Sequence, residues 1–226
     1  MCALAHSHRC CSQGLCLAVR SSLYGPMTDL TINDALARRR TVRDFSDEQI
    51  PLEALKRLAW AAQGITSSDG KRTAPSAHAL HPLELFCLPN RVEGLSQSLY
   101  QLDSSDLDLR HIDARDDLRD RLRHACIDAP SWITQAACIV AVCADMVAPS
   151  RAFADQRPFG SRGTRYVYLE AGAAAQNLHL QAVAEGLGCV WVGGFDDEAC
   201  ADILGLPSPL MPLVLICIGY PAASAH

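Results

Sequence analysis

The sequence lacks a strong excess of either charge, because its 226 residues include 20 basic and 25 acidic side chains, for a net charge of −5. It also has no apolar run of the roughly 18 residues that a membrane-spanning helix needs. The N-terminus does not join a basic region to a long apolar core, as a secretory signal would. We therefore expect a cytoplasmic protein that binds neither nucleic acid nor a membrane. An apolar content of 49% suits a folded domain.

Several common catalytic signatures are also missing. The chain has no GxGxxG, no GxxxxGK, no HExxH and no GxSxG pattern. No strand is followed by a glycine fingerprint, so an NAD-binding Rossmann domain is disfavoured. Without acid–base machinery of its own, the chain is more typical of an enzyme whose cofactor carries the reaction.

Cysteine, by contrast, is abundant. The eleven cysteines are an odd number and do not suggest a disulfide framework, which favours a reducing compartment. Four of them, with His6 and His8, crowd the first sixteen residues at a spacing that matches no paired zinc-ligand pattern. We treat residues 1–26 as an N-terminal extension, either disordered or an over-called translation start. A metal site there is the less favoured alternative. Residues 27–226 form the single predicted domain, with no metal.

Helices and strands mix along residues 27–226 without a regular βαβ series. Thr31 is placed to cap a helix that runs toward Arg39, and a second helix follows Pro51 and ends near Gly64, a natural C′ residue. The charged stretch 109–125 predicts an amphipathic helix with a solvated face. Helix 164–185 is apolar nearly all round, so we expect it in a large core or between subunits. Strands are predicted at 83–88, 97–102, 136–144, 190–195 and 213–219, and a helix capped by Asp196 runs to Leu204.

Arginine is concentrated in RRRTVRDF, residues 38–45, which we call the arginine segment. Guanidinium groups match phosphate geometry and stay charged when partly buried, and Thr41 adds a hydroxyl. An anionic ligand is one interpretation. The other is a solvated helix end whose cations offset the helix dipole, and the segment by itself favours that one.

Two further stretches could lie against a flat ligand. RTAPSAHALHP, residues 72–82, is a small-residue loop whose side chains would allow close backbone approach. Its His78 and His81 are more often solvated than catalytic in such a context. WVGGFDD places a glycine turn, Gly193 and Gly194, after an apolar strand, where backbone N–H groups are free to donate. An ordinary turn is the simpler interpretation of two glycines.

Taken together and in order, these segments resemble the nitroreductase superfamily over nearly all of residues 30–221. RRRTVRDFSDEQIPLEALKRLAWAAQGIT is similar to the opening element and helix of that family. RTAPSAHALHPLELFCL and SLYQLDSSDLDLRHI resemble its SagB-type (azoline-oxidase-like) dehydrogenases. RYVYLEAGAAAQNLHLQAVAEGLG and VGGFDDEACADILGLP…PLVLICIGYP are similar to the central helix and the final strand of the family.

The resemblance implies an α+β flavoprotein of the nitroreductase-like fold: a central antiparallel or mixed sheet flanked by helices, with a long central helix at a homodimer interface. FMN would bind at that interface. By motif position, the phosphate and ribityl chain would be held by Arg39, Arg40, Thr41 and Arg43. The flavin would be lined by Pro75, Ser76 and Ala77, from the same or the partner subunit, and by Gly193 and Gly194, with the Gly194 N–H toward flavin N5. Asn177 is a weaker candidate.

The implied reaction is hydride transfer through flavin N5, with no catalytic side chain of the protein's own. The donor would be NADH, NADPH or another reducing substrate, and the acceptor a nitroaromatic, a quinone or an azoline ring in a modified peptide. The alternative is a flavin-poor, non-enzymatic subunit of a peptide-modifying complex. Two departures from the family pattern stand out. No Arg or Lys follows Tyr220, so phosphate binding would rest on the arginine segment, and His78 and His81 replace the more usual Gly and Tyr.

Overall fold

The computed structural model describes residues 30–103 and 106–223, and the predicted extension 1–26 lies outside them. The helices are α1 (Ile32–Arg38), α2 (Leu52–Gln63), α3 (Leu118–Ala125), α4 (Trp132–Gln135), α5 (Val147–Ala152), α6 (Gly163–Ala184) and α7 (Asp197–Ile203). The strands are β1 (Leu83–Pro89), β2 (Leu99–Leu102), β3 (Leu109–Asp113), β4 (Cys138–Asp145), β5 (Gly188–Val192) and β6 (Leu210–Gly219). Within the described ranges, no helix is long and apolar enough to cross a membrane.

The strands form one six-stranded sheet in the order β3-β2-β1-β4-β6-β5, with every neighbouring pair antiparallel. This confirms the predicted α+β class with a central sheet. Strand β4 lies in the middle and is buried on both faces: Val140 and Val142 belong to one apolar cluster, whereas Ile139 and Ala141 belong to the other. Burial on both faces explains why its sequence is a continuous apolar run.

Helices cover both faces of the sheet. Helices α2 and α6 pack on one face, and α3, α4 and α7 pack on the other. The long apolar helix predicted at 164–185 is α6. It buries Val167, Ala171 and Leu178 against the sheet, while Tyr168 and Leu169 remain 56% and 64% exposed on its other side. A single chain therefore covers only part of the apolar surface of α6.

The described cysteines are buried free thiols, as the apolar surroundings of most of them suggest. Burial raises the pKa of Cys126 to about 11 and that of Cys200 to about 12. Such thiols stay protonated and act as small hydrophobic side chains. No set of three or more His, Cys, Asp or Glu residues in the described part is arranged to hold a metal ion.

Helix α2 ends next to Gly64, as predicted, but Gly64 is its C-cap and not its C′ residue. Its backbone is extended, with φ −63° and ψ 146°. The glycine is required for a different reason, because a Cβ at this position would collide with the indole of Trp60. A side-chain contact, and not the backbone angle, therefore selects glycine here.

The charged stretch 109–125 is also only partly as predicted. Its first part is strand β3, and its second part is α3, in which Leu118 and Leu122 are buried and Asp117 pairs with Arg121 at 4.0 Å. The charged side chains of α3 form a solvated face, as predicted, with one exception. Arg119 points into the protein and donates hydrogen bonds to four backbone carbonyls.

Candidate functional site

Helix α6 anchors the arginine segment and the small-residue loop. His179 is buried, and its Nε2 lies 3.1 Å from the carbonyl oxygen of Arg40; because a carbonyl only accepts, Nε2 carries the hydrogen. Two residues earlier, Asn177 Nδ2 donates to the carbonyl oxygen of Thr73 at 3.1 Å. The arginine segment and the small-residue loop are thus fixed to neighbouring positions of one helix.

The arginine segment also runs beside the start of β5. Thr41 forms a parallel bridge with Cys189, and the N–H of Val42 donates to the carbonyl oxygen of Cys189 at 3.0 Å. Thr41 is exposed, whereas Arg39 is half-buried. The backbone of the segment is therefore held from two sides, and its side chains are free to project from it.

The arginine side chains differ in what they already contact. Arg40 Nη1 donates to the carbonyl oxygens of Ala37 and Arg39, at 2.9 and 2.8 Å, and so caps the end of α1. Arg43 lies with its guanidinium carbon 5.6 Å from the centre of the Trp132 ring. Within the described residues, the side chains of Arg39, Arg40 and Arg43 form no ion pair with a carboxylate. Helix capping therefore accounts for Arg40 but leaves the charges of Arg39 and Arg43 available to an anion.

His179 helps to set the electrostatics of this segment. Burial lowers the pKa of His179, and the positive charge of Arg39 lowers it further, while the hydrogen bond to the Arg40 carbonyl acts in the opposite direction. The imidazole is consequently a neutral structural donor beside a cationic surface. It adds no positive charge of its own near neutral pH.

The small-residue loop has an unusual backbone. Pro75 is exposed, Ala77 opens a short 3₁₀ turn, and His78, Ala79 and His81 adopt positive φ angles of 53°, 55° and 48°. Residues with a Cβ rarely adopt that region, and each costs on the order of 1–3 kcal/mol unless its surroundings hold it. The loop is therefore a strained segment that the rest of the fold keeps in place.

Two contacts help to hold this strained loop in place. The N–H of His81 donates to Ser76 Oγ at 2.9 Å, and the ring of His78 packs on Phe153 with centroids 4.9 Å apart. Burial lowers the pKa of His81, and the charge of Arg72 lowers it further. His78 thus has a packing partner, and within residues 30–103 and 106–223 neither histidine lies in a hydrogen-bonded pair typical of acid–base catalysis.

The glycine turn follows the end of β5. A Cβ on Gly193 would meet no atom within 4 Å, so the backbone here faces open space. Gly194 accepts a hydrogen bond from the N–H of Ile127 at 2.9 Å. Ile127 is 69% exposed and lies directly beside Gly194, where its Cδ1 would be 3.0 Å from an added Cβ. The direction of the Gly194 N–H toward a flavin stays a prediction.

Three residues near this site were not among the sequence candidates: His179, Ile127 and Glu170, whose side chain borders a small cavity next to Ser76 and Ala77. Glu170 and His179 carry a detectable signal, because each is a polar residue inside an otherwise apolar helix and each is buried. Ile127 carries none, since its place beside the glycine turn depends on how the segment after α3 packs. The arginine segment contacts α6 at His179 and the small-residue loop contacts it at Asn177, two positions apart and therefore on different sides of the helix. The glycine turn follows the end of β5, the strand whose start lies beside the arginine segment.

Comparison with known proteins agrees with this architecture. A model described as the nitroreductase family matches residues 36–220. A protein of Methanocaldococcus jannaschii with a provisional nitroreductase name is 31% identical over 194 residues, covering 84% of this chain and 91% of the relative.

Solved structures show the same fold. A provisionally named nitroreductase from Ralstonia eutropha superposes with a TM-score of 0.72 at 24% identity and covers 89% of both chains. A Parabacteroides distasonis protein named as an NADH dehydrogenase/NAD(P)H nitroreductase gives a TM-score of 0.59 at 22% identity, covering 85% of this chain and 88% of the other. The chain belongs to the nitroreductase family, whose members are generally FMN-dependent oxidoreductases.

Proposed function

We propose that this protein binds FMN and transfers hydride from NADH or NADPH to a small aromatic acceptor such as a nitroaromatic or a quinone. The observation that carries the proposal is that α6 anchors both of the segments that would hold the cofactor. One helix holds the arginine segment through His179 and the small-residue loop through Asn177. The nicotinamide cosubstrates are favoured by the names of several structural neighbours, including a provisionally named NADH oxidase of Clostridium acetobutylicum.

The residues present suit FMN. At one end, Arg39 and Arg43 have no carboxylate partner among the described residues and Thr41 is exposed, which matches a phosphate. At the other end, Gly193 faces open space, which suits a flat ring against backbone. Strand β5 links the two ends, and four residues of strand from Cys189 to Gly193 span about 13 Å. An elongated ligand with an anionic end fits that separation better than a small anion does.

When bound, FMN supplies the hydride-transfer chemistry at its N5, and the protein's own residues bind and orient it. Arg39, Arg43 and Thr41 would hold the phosphate, and Arg40 would act mainly by fixing the end of α1. Pro75, Ser76 and Ala77 would line the ring from the small-residue loop. Backbone N–H groups of Gly193 and Gly194 would stabilise negative charge that develops on the ring.

We further propose a homodimer built on α6. Tyr168 and Leu169 form an exposed apolar strip on the side of α6 that faces away from the sheet. Covering this strip with a second copy would remove apolar surface from water and place the two sites near the interface. Light scattering at micromolar concentration is expected to give twice the mass of the chain, and a clean monomer would contradict this part of the proposal.

The primary test is flavin content and turnover. The purified protein is expected to be yellow and to hold one FMN per chain after reconstitution. In the absence of oxygen, it is expected to turn over NADH or NADPH only when a nitroaromatic or quinone is present. A colourless protein that cannot be reconstituted would support the alternative of a non-enzymatic subunit. Oxidation of an azoline-containing peptide, without turnover of the aromatic acceptors, would instead indicate the SagB-type reaction.

The phosphate assignment can be tested separately. Arg39→Ala is expected to weaken FMN binding by ten-fold or more, because a charge-assisted contact to phosphate contributes about 1.5–3 kcal/mol. Arg38→Ala is the matched control, since Arg38 is the adjacent, exposed arginine in the last turn of α1. Equal flavin occupancy in both variants would show that the phosphate lies elsewhere.

A further inference from the structure

The segment between α5 and α6, residues 153–162, lies in a stretch with a local excess of positive charge, and we call it the α5–α6 loop. Residues 151–165 contain four arginines and one aspartate, although the whole chain has a net charge of −5. The aspartate, Asp155, pairs with Arg157 at 3.0 Å. Within the described residues, no ion pair with a carboxylate is formed by Arg151, Arg162 or Arg165. Three positive charges are therefore left without a carboxylate partner on one short stretch.

Backbone hydrogen bonds close the α5–α6 loop on itself. The N–H of Arg162 donates to the carbonyl oxygen of Phe153 at 3.0 Å, and the N–H of Gln156 donates to that of Gly160 at 3.2 Å. The N–H of Phe159 donates to the carbonyl oxygen of Gln156 at 2.8 Å. The loop therefore has a defined conformation, and in it the ring of Phe159 is left 69% exposed.

The guanidinium of Arg162 is held in place by two contacts. Its central carbon lies 5.5 Å from the centre of the Phe159 ring, and its Nη1 donates to the carbonyl oxygen of Ser161 at 2.8 Å. A guanidinium has five N–H donors, so a single hydrogen bond leaves donors for a ligand. Because the group is already oriented, less side-chain entropy is lost when it binds a phosphate.

The base of the α5–α6 loop packs against the small-residue loop. Phe153 is buried, and its ring centre lies 4.9 Å from that of His78 and 4.7 Å from that of Tyr166 on α6. Phe153 also borders the same small cavity as Ser76 and Ala77, two of the residues that would line the flavin. The cationic loop thus stands directly beside the proposed flavin site. A nicotinamide dinucleotide is much longer than its reacting ring, so its adenosine end must rest on neighbouring protein surface of this kind.

We propose that the α5–α6 loop binds the 2′-phosphate on the adenosine of NADPH and so makes the protein select NADPH over NADH. This inference rests on the proposed function, in which a nicotinamide dinucleotide reduces FMN beside the small-residue loop. NADPH differs from NADH only by that phosphate, and a phosphate monoester carries a charge of about −1.5 to −2 near neutral pH. Arg162 contacts the phosphate, Phe159 orients the guanidinium, and Arg151 and Arg165 add longer-range attraction.

Steady-state kinetics of the FMN-loaded protein test the selectivity. The kcat/KM for NADPH is expected to exceed that for NADH at least ten-fold, and Arg162→Met should lower this ratio about ten-fold. Phe159→Leu keeps an apolar side chain but removes the ring beneath the guanidinium, so it should lower the ratio about two- to five-fold. Arg121→Met is the matched control, since Arg121 is a partly exposed arginine on α3, across the sheet, and it should leave the ratio unchanged. Equal kcat/KM values in the parent protein, or the same ratio in Arg162→Met and Arg121→Met, would refute the assignment.

The salt dependence of the ratio locates the selectivity at an exposed site. Because salt screens exposed charges, the preference for NADPH should decrease several-fold when the salt concentration rises from about 0.05 to about 0.5 M. A ratio that does not change with salt would place the discrimination in a buried site and would contradict a role of this loop.

A binding measurement that needs no turnover separates this inference from the proposed function. Calorimetry compares adenosine 2′,5′-bisphosphate with adenosine 5′-diphosphate, which carries the same number of phosphates. The 2′,5′-bisphosphate is expected to bind at least about five-fold more tightly, and this difference should disappear in Arg162→Met and persist in Arg39→Ala. If the protein binds no FMN but keeps this pattern, the proposed function fails and the phosphate site stands. Equal binding of the two nucleotides would indicate a non-selective basic surface and would overturn the inference, even in a protein that turns over both cosubstrates.

Discussion

Arg119 offers the sharpest test of how the fold is held together. It lies on α3 and points into the protein, where it donates to the carbonyl oxygens of Leu88 at 2.7 Å, Ile133 at 2.9 Å and Ala136 at 2.6 Å. These carbonyls belong to the end of β1, to α4 and to the residue that follows α4. One guanidinium thus connects α3 to the end of β1 and to α4 with its C-cap residue. Burial lowers the pKa of Arg119, which reflects the cost of placing this charge inside.

Arg119→Met keeps most of the side-chain length and removes the donors. Each carbonyl left unsatisfied costs about 1–3 kcal/mol, and relief of the buried charge offsets part of the total, so we expect a net loss of about 3–4 kcal/mol. For a chain of this size, that corresponds to a decrease in melting temperature of about 6–16 °C. Arg119→Lys keeps the positive charge and three hydrogen-bond donors on a shorter side chain. It should therefore recover about half of the lost free energy of unfolding.

Urea and thermal unfolding at one fixed protein concentration would measure this loss, because a dimer would make the midpoint concentration-dependent. Arg121→Met is the control on the same helix, since its ion pair with Asp117 is long and more exposed. We expect the control to cost at most about 1 kcal/mol. If Arg119→Met cost no more than Arg121→Met, the three carbonyls would not depend on the guanidinium, and the reasoning would be refuted.

Three further predictions concern the edges of the site. Arg57 donates through Nε and Nη2 to both carboxylate oxygens of Glu185, at 2.7 and 2.6 Å. Arg57→Met should therefore lower the free energy of unfolding by about 1–2 kcal/mol in a urea titration. An unchanged free energy would contradict the role of this ion pair in connecting α2 to α6. The side chain of Ile127 is exposed beside Gly194, so Ile127→Ala should change the KM for the acceptor and leave the free energy of unfolding within about 0.5 kcal/mol. An unchanged KM for several acceptors would show that Ile127 is not part of the acceptor site. Burial lowers the pKa of His179, so its contribution to stability should be complete above the unfolded value of about 6.5 and be lost as the pH falls below it. His179→Gln should flatten that part of the stability profile, and an identical pH dependence in both proteins would argue against the assignment.

Local sequence patterns predicted most of the elements correctly, because short-range contacts decide them. Thr31 caps α1 in a reciprocal arrangement with Asp34, and Asp196 caps α7 by accepting the N–H of Ala199 at 2.9 Å. The apolar run that became β4 is buried on both faces, as its composition suggests. Strand β3 was missed, since its charged residues are largely exposed and resemble those of the helix that follows.

The segments of the candidate site could be predicted from the sequence, but their arrangement in space could not. The arginine segment, the small-residue loop and the glycine turn each have an ordinary interpretation when taken singly. Their common relation to α6 depends on His179 and Asn177, which contact residues 139 and 104 positions away in the chain. No local pattern encodes a contact over such a separation.

The sequence by itself determined the α+β class, the long apolar helix and the residue types available to a cofactor, because periodicity and side-chain chemistry are local properties. Only the tertiary structure decided which way individual side chains point. Arg119 and Arg121 lie on the same charged helix, yet packing turns the first inward to backbone carbonyls. Glu170 lies within a nearly apolar helix, and the fold places the small-residue loop over it. A buried charge is tolerable only where distant segments supply its partners, and that supply is a property of the folded chain.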